Sequence, residues 1–186
     1  RSLMRTGEQL LGSLITRSLV QPLAVFGLFP VRCHKAGLAL AHGGEPHPIS
    51  LDPAVWPRLF RRGAEAFLPL LVVTLGGDLH EQVRRRFDEG DYLQGYILST
   101  IGAELADELA EVATSIILEE QGLDRRRVVR YSPGYPVWRN LSDQRILFHL
   151  LGAERRVGVH LSEACQMVPE FSVSAGLLYK EPEEKR

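Results

Sequence analysis

The sequence predicts an α+β fold: a twisted, mostly antiparallel sheet with one long helix packed on it. From Tyr92 to Gln121, apolar residues recur at spacings of mostly three and four, the period of a helix. Two short apolar runs, Leu23 to Phe29 and Leu70 to Leu75, are closed by prolines and glycines and read as buried strands. Helical and strand-like segments follow one another without the regular alternation that builds a parallel sheet.

The elements follow in order. Residues 3–20 carry Leu3, Leu10, Leu11, Leu14, Ile15 and Leu19 at helical spacing, and Pro22 ends that helix. Leu23 to Phe29 is closed by Pro30. Leu38 to Ala41 is its expected partner, with Gly43–Gly44 as the turn. Residues 43–53, rich in Gly, Pro and His, read as a loop. Pro53 and Pro57 leave room only for a short helix around Arg58 to Ala66. Leu70 to Leu75 lies between Pro69 and Gly76–Gly77, and Leu79 to Phe87 reads as a helical turn or two. The long helix is expected to show Tyr92, Tyr96, Ile97, Ile101, Leu105, Leu109, Val112, Ile116 and Ile117 on one face, with Gly122 at its stop. Ser142 precedes a second amphipathic helix, Asp143 to Leu151, which ends at Gly152. Ser172 to Tyr179 is the third main strand, and the charged residues 180–186 read as a mobile tail. The whole chain, 1–186, reads as a single domain.

Composition narrows the function. The 186 residues are 45% apolar, enough for a sizeable core, and a net charge of -1 predicts no nucleic-acid partner and no general membrane attraction. No apolar run reaches the roughly 20 residues that span a bilayer. Arg17, Gln21 and Pro22 interrupt the stretch Leu10 to Pro30, which argues against a signal peptide. Cys33 and Cys165 form no CxxC pair and read as reduced thiols of a cytoplasmic protein. A start at Arg1 reads as a fragment or a processed form.

The most unusual local sequence is Arg130-Tyr131-Ser132-Pro133-Gly134-Tyr135-Pro136. Two prolines and a glycine make a rigid irregular loop that exposes backbone groups. Arg130 suits a carboxylate in forked geometry, and Tyr135 suits stacking or a hydrogen bond. By local chemistry alone the plainer readings lead: a surface turn for these residues, and a solvated helix face for Glu111, near Glu104, Asp107 and Glu108.

Arg130-x-x-x-Gly134-Tyr135 resembles the RxxxGY signature of the activation domain of cobalamin-dependent methionine synthase. The similarity continues through Gly158-Val-His-Leu-Ser-Glu163, Met167-Val-Pro169 and Ser172-Val-Ser174. Upstream it includes Val25-Phe-Gly-Leu-Phe-Pro30, Thr74-Leu-Gly-Gly77 and Leu105-Ala-Asp-Glu-Leu-Ala-Glu111. It spans nearly the whole chain, in order.

This resemblance implies an activation-domain fold and S-adenosylmethionine bound in a shallow groove. It implies ligand contacts by Arg130, Tyr131, Pro133, Gly134, Tyr135 and Glu111. It also implies reductive methylation of cob(II)alamin held by a partner domain, with a flavodoxin-type electron donor. The chain would then be a presenting module with no catalytic residue of its own. The sequence departs from the family pattern at two points. No ligand acid matches before Leu23, and the chain ends at Arg186 before the family's later aromatic residues. An alternative therefore stays open: an interaction module for another corrinoid-dependent methyltransferase, with ligand binding weakened or lost.

Other patterns carry less. Asp78-Leu-His80 starts like a cobalamin-binding DxHxxG motif, but Val83 stands where Gly is required. Cys33, His34, His42 and His47 match no standard zinc spacing. Gly76–Gly77 is too short to cradle phosphate. Arg84–Arg86 and Arg125–Arg127 read as solvated runs or as faces for an acidic partner.

Overall fold

The computed structural model describes residues 19–34, 37–62, 64–124 and 127–179. The helix expected over residues 3–20 lies outside them except for Leu19 and Val20, and so does the tail 180–186. The strands are β1 (Leu23–His34), β2 (Gly37–His42), β3 (Glu45–Ile49), β4 (Phe60–Arg62), β5 (Glu65–Thr74), β6 (Val128–Tyr131), β7 (His160–Leu161), β8 (Met167–Val168) and β9 (Ser172–Tyr179). The helices are α1 (Gly77–Asp88), α2 (Tyr92–Gln121), α3 (Gln144–Leu151) and α4 (Ala153–Val157).

The strand β5 explains the architecture. Leu68, Leu70 and Val72 point to one face, Leu71 and Val73 to the other, and none is exposed. A strand covered on both faces reads as a continuous apolar run. On one face α3 and α4 supply Leu147, Phe148, Leu151 and Val157; on the other α2 supplies Ala110, Ala113, Ile117 and Leu118. The main sheet runs β3-β2-β1-β5-β9-β6, and β4 pairs with the start of β5. Every pairing is antiparallel. The small β7–β8 hairpin stands apart. This is the expected α+β class.

Several local expectations fail. β1 does not stop at Pro30 but runs to His34. Pairing with β2 begins only at Val31, so Pro30 sits where one side of β1 carries no ladder. Gly43–Gly44 joins β2 to β3 rather than β1 to β2, so residues 43–53 include an edge strand that tolerates Pro46 and Pro48. Among the described residues no α-helix covers Arg58 to Ala66. A 3-10 helix, Pro53–Arg58, capped by Asp52, hands over to β4 and β5. α1 is a full helix rather than a turn or two. Ser142 is not the cap: Asn140 accepts from the Ser142 N–H at the start of a 3-10 turn, Leu141–Asp143, that leads into α3.

The long helix has the expected length and stops at Gly122, whose φ is 65°. Its inner face is only partly the expected one: Ile117 is buried, and Ile101, Leu105 and Leu109 pack half-buried against the core. Gly95, Leu98, Gly102, Ala106, Ala110, Ala113, Thr114, Ile117 and Leu118 are buried, while Tyr92 (69%), Tyr96 (68%), Val112 and Ile116 are exposed. Close approach decides this. A Cβ on Gly102 would come within 2.7 Å of the Phe171 ring, so glycine is required at that crossing.

Candidate functional site

Two strands of unequal reach leave a groove. β9 pairs with β5 through Ser172–Gly176, but β6 meets β9 only through Gly176–Tyr179. Beyond Tyr131 the chain leaves the sheet. Among the described residues no strand lies beside residues 172–175 on that side. The loop 132–138, the start of α3 and the segment 165–170 wall a cleft of about 960 Å3 there.

The loop is built from inside. Gly134 takes φ 91°, a left-handed conformation that suits glycine, and its N–H donates to the Trp138 carbonyl at 2.7 Å. The Trp138 N–H donates back to the Tyr135 carbonyl at 2.9 Å. Trp138 is fully buried against Gly176, where a Cβ would meet the indole at 2.9 Å. Its indole N–H donates to Asp143 Oδ2 at 2.8 Å. That same oxygen accepts from the Ser50 N–H at 2.6 Å and the Ser50 hydroxyl at 2.8 Å. Asp143 Oδ1 accepts from Asn140 Nδ2 at 3.0 Å. The loop is thereby tied to the β3 side of the molecule. Pro133 is buried beneath it, and Tyr135, 65% exposed, stands at the rim.

Arg130 and Tyr131 are not loop residues, as the motif had indicated, but the end of β6. Arg130 lies in register with Leu177, which faces α2, so its side chain meets that helix. Its guanidinium pairs with Asp107 and lies 3.2 Å from Glu111 Oε1. Asp107 and Glu111 are one helical turn apart and share a face. One cation between two carboxylates leaves this wall net negative.

Arg130, Tyr131, Pro133 and Tyr135 line the groove. Gly134 shapes its loop, and Glu111 reaches it through Arg130. Sequence reasoning missed Asp107, although its four-residue spacing from Glu111 was a legible signal. It also missed Trp138, Asp143, Gln144 and Ser174, whose roles depend on distant segments. His80 lines the groove too, with Nδ1 3.5 Å from Glu170 Oε2, an ionic distance without hydrogen-bond geometry. Cys165, on the far wall, is a buried free thiol.

The remaining motifs fall elsewhere. Val83 is buried between α1 and α2. His42 packs edge-on against Phe29, and His47 meets the His149 ring at a tilt of 52°. Among the described residues no group of three or more His, Cys, Asp or Glu is placed to hold a metal ion. No helix among them is long and apolar enough to cross a membrane.

Residues 58–186 match the family described as "Vitamin B12 dependent methionine synthase, activation domain". The chain belongs to this family. The activation-domain fold is also found among solved structures. One described as the MetH reactivation domain bound to AdoHcy aligns with a TM-score of 0.60 and 17% identity, covering 100% of this chain and 66% of that one. At that identity the likeness establishes a shared fold. The present activation domain spans about two thirds of the length of that longer chain.

Proposed function

We propose that this activation domain binds S-adenosylmethionine in the groove at the end of β6 and presents its methyl group to cobalamin held by another domain or protein. The observation that carries the reading is Arg130, set between Asp107 and Glu111 on the groove wall. S-adenosylmethionine brings a carboxylate, an ammonium and a sulfonium. The guanidinium keeps spare donors for the ligand carboxylate, and the surplus negative charge of Asp107 and Glu111 suits the cationic groups. Tyr131, Pro133 and Gly134 shape the adjoining wall, and Tyr135 at the rim flanks the exposed end of the ligand. The chemistry needs positioning rather than an acid, base or nucleophile from this chain.

Family membership supports the further reading that the methyl acceptor is cob(II)alamin under reduction, with a flavodoxin-type protein as electron donor. The partner that carries the cobalamin supplies the corrinoid chemistry, and this chain supplies the methyl donor's pose.

The test is calorimetric titration of S-adenosylmethionine into the unmodified chain, Arg130→Ala and Arg85→Ala. Arg130→Ala is expected to lose about thirtyfold in affinity, as loss of a charge-assisted pair in a partly wet groove implies. Arg85, exposed on α1, is the control and should change nothing. Equal affinities for the two variants contradict the site. No binding by the unmodified chain at millimolar ligand favours the interaction-module reading instead.

A further inference from the structure

The groove carries a second polar set that the amino-acid end of the ligand does not use. Gln144 is 5% exposed and Ser174 1%, and both line the cleft. Gln144 Oε1 and Ser174 Oγ are buried without a hydrogen-bond partner. A buried polar atom left unpaired is destabilising, and such atoms are rare in folded proteins. Poor local packing is not the cause. Next to Gln144, Asp143 is saturated with donors. Two residues from Ser174, the Ser172 hydroxyl lies 2.7 Å from the Pro169 carbonyl and 2.9 Å from Thr74 Oγ1.

Ser174 has more to offer. The Leu75 N–H donates to the Phe171 carbonyl at 3.0 Å, so the odd residues of β9 turn their backbone groups to β5. The even residues then turn theirs to the side that β6 vacates after Tyr131. Ser174 thus presents a hydroxyl and a backbone edge to the same space. Val137, Leu141, Met167 and Val168 give that space apolar walls, which suit a flat ring.

We infer that Gln144 and Ser174 form a purine-reading subsite, with Gln144 Oε1 accepting from the exocyclic amino group of adenine and Ser174 binding elsewhere on the nucleoside. The inference rests on the proposed binding of S-adenosylmethionine and specifies which end of the ligand enters deepest. A carboxamide beside adenine's amino group and ring nitrogen is a matched donor–acceptor pair. Asp143 fixes the turn from which Gln144 projects, so the backbone that carries the carboxamide is set before the ligand arrives.

The test compares S-adenosylhomocysteine with its analogue lacking the purine 6-amino group. The unmodified chain is expected to prefer the amino compound by about tenfold, a typical discrimination for such a contact. Gln144→Met should bind the two ligands alike. Ser174→Ala should weaken both by a similar factor. Because Gln144 Oε1 is unpaired in the free protein, Gln144→Met should leave the melting temperature unchanged or raise it, whereas a purely structural glutamine would lower it. Equal binding of both ligands by the unmodified chain overturns the inference, and so does a preference that survives in Gln144→Met. If Arg130→Ala still loses affinity in either case, the proposed function stands and the purine subsite alone falls. No binding of either S-adenosylhomocysteine or S-adenosylmethionine by the unmodified chain overturns both.

Discussion

Asp143 collects four donors on one buried carboxylate, from Ser50 (twice), Trp138 and Asn140. It is the tie between the RxxxGY loop, α3 and the segment after β3. Asp143→Ala leaves the Ser50 N–H and the Trp138 indole N–H without an acceptor, and the expected loss is about 3 kcal/mol of unfolding free energy. Urea denaturation measures it, and a loss under ~1 kcal/mol would mean that water replaces the carboxylate. At this scale sequence reading divides sharply. Arg130, Gly134 and Tyr135 sit in one short motif and were legible as a family signature. Asp143 could not, because its Ser50 partner is 93 residues away. Gln144 and Ser174 look like ordinary helix and strand residues until their unpaired atoms are seen in the groove.

The helix α2 shows what a periodic pattern does and does not reveal. Its length and its Gly122 stop were legible, because both are local. Its inner face was not, because two stripes compete: one of large apolar residues, one in which glycine and alanine alternate with Leu98, Ile117 and Leu118. Packing against α1 and the sheet selects the second. Two substitutions check this by thermal unfolding. Tyr96→Gln, on the outer surface, should stay within about 0.5 kcal/mol of the unmodified chain. Ala110→Leu, against β5 and β9, should cost about 1–3 kcal/mol through overpacking. The opposite order would restore the large-residue face as the buried one. β6 escaped notice for another reason: its four residues, Val128–Tyr131, are too few to show a period. Its shortness nevertheless matters most, since Arg130 and Tyr131 acquire their positions from pairing with β9.

For the whole molecule, the mixed class and antiparallel sheet were legible because β1, β5 and β9 are apolar enough to be read singly. The groove was not, because it is a property of two strands ending at different points. No single segment encodes it. A second hollow, of about 690 Å3, lies on another part of the surface around Trp56, Pro57 and Arg61. It gives the central claim a real competitor. The most direct measurement is a titration of S-adenosylmethionine into isotopically labelled protein, followed by amide chemical shifts. The expected result is that shifts concentrate at residues 130–135, at Gln144 and along 166–174, and saturate together. Shifts that gather instead around Trp56 and Arg61, or that are absent at saturating ligand, would contradict the claim that the cleft beyond β6 is the ligand site.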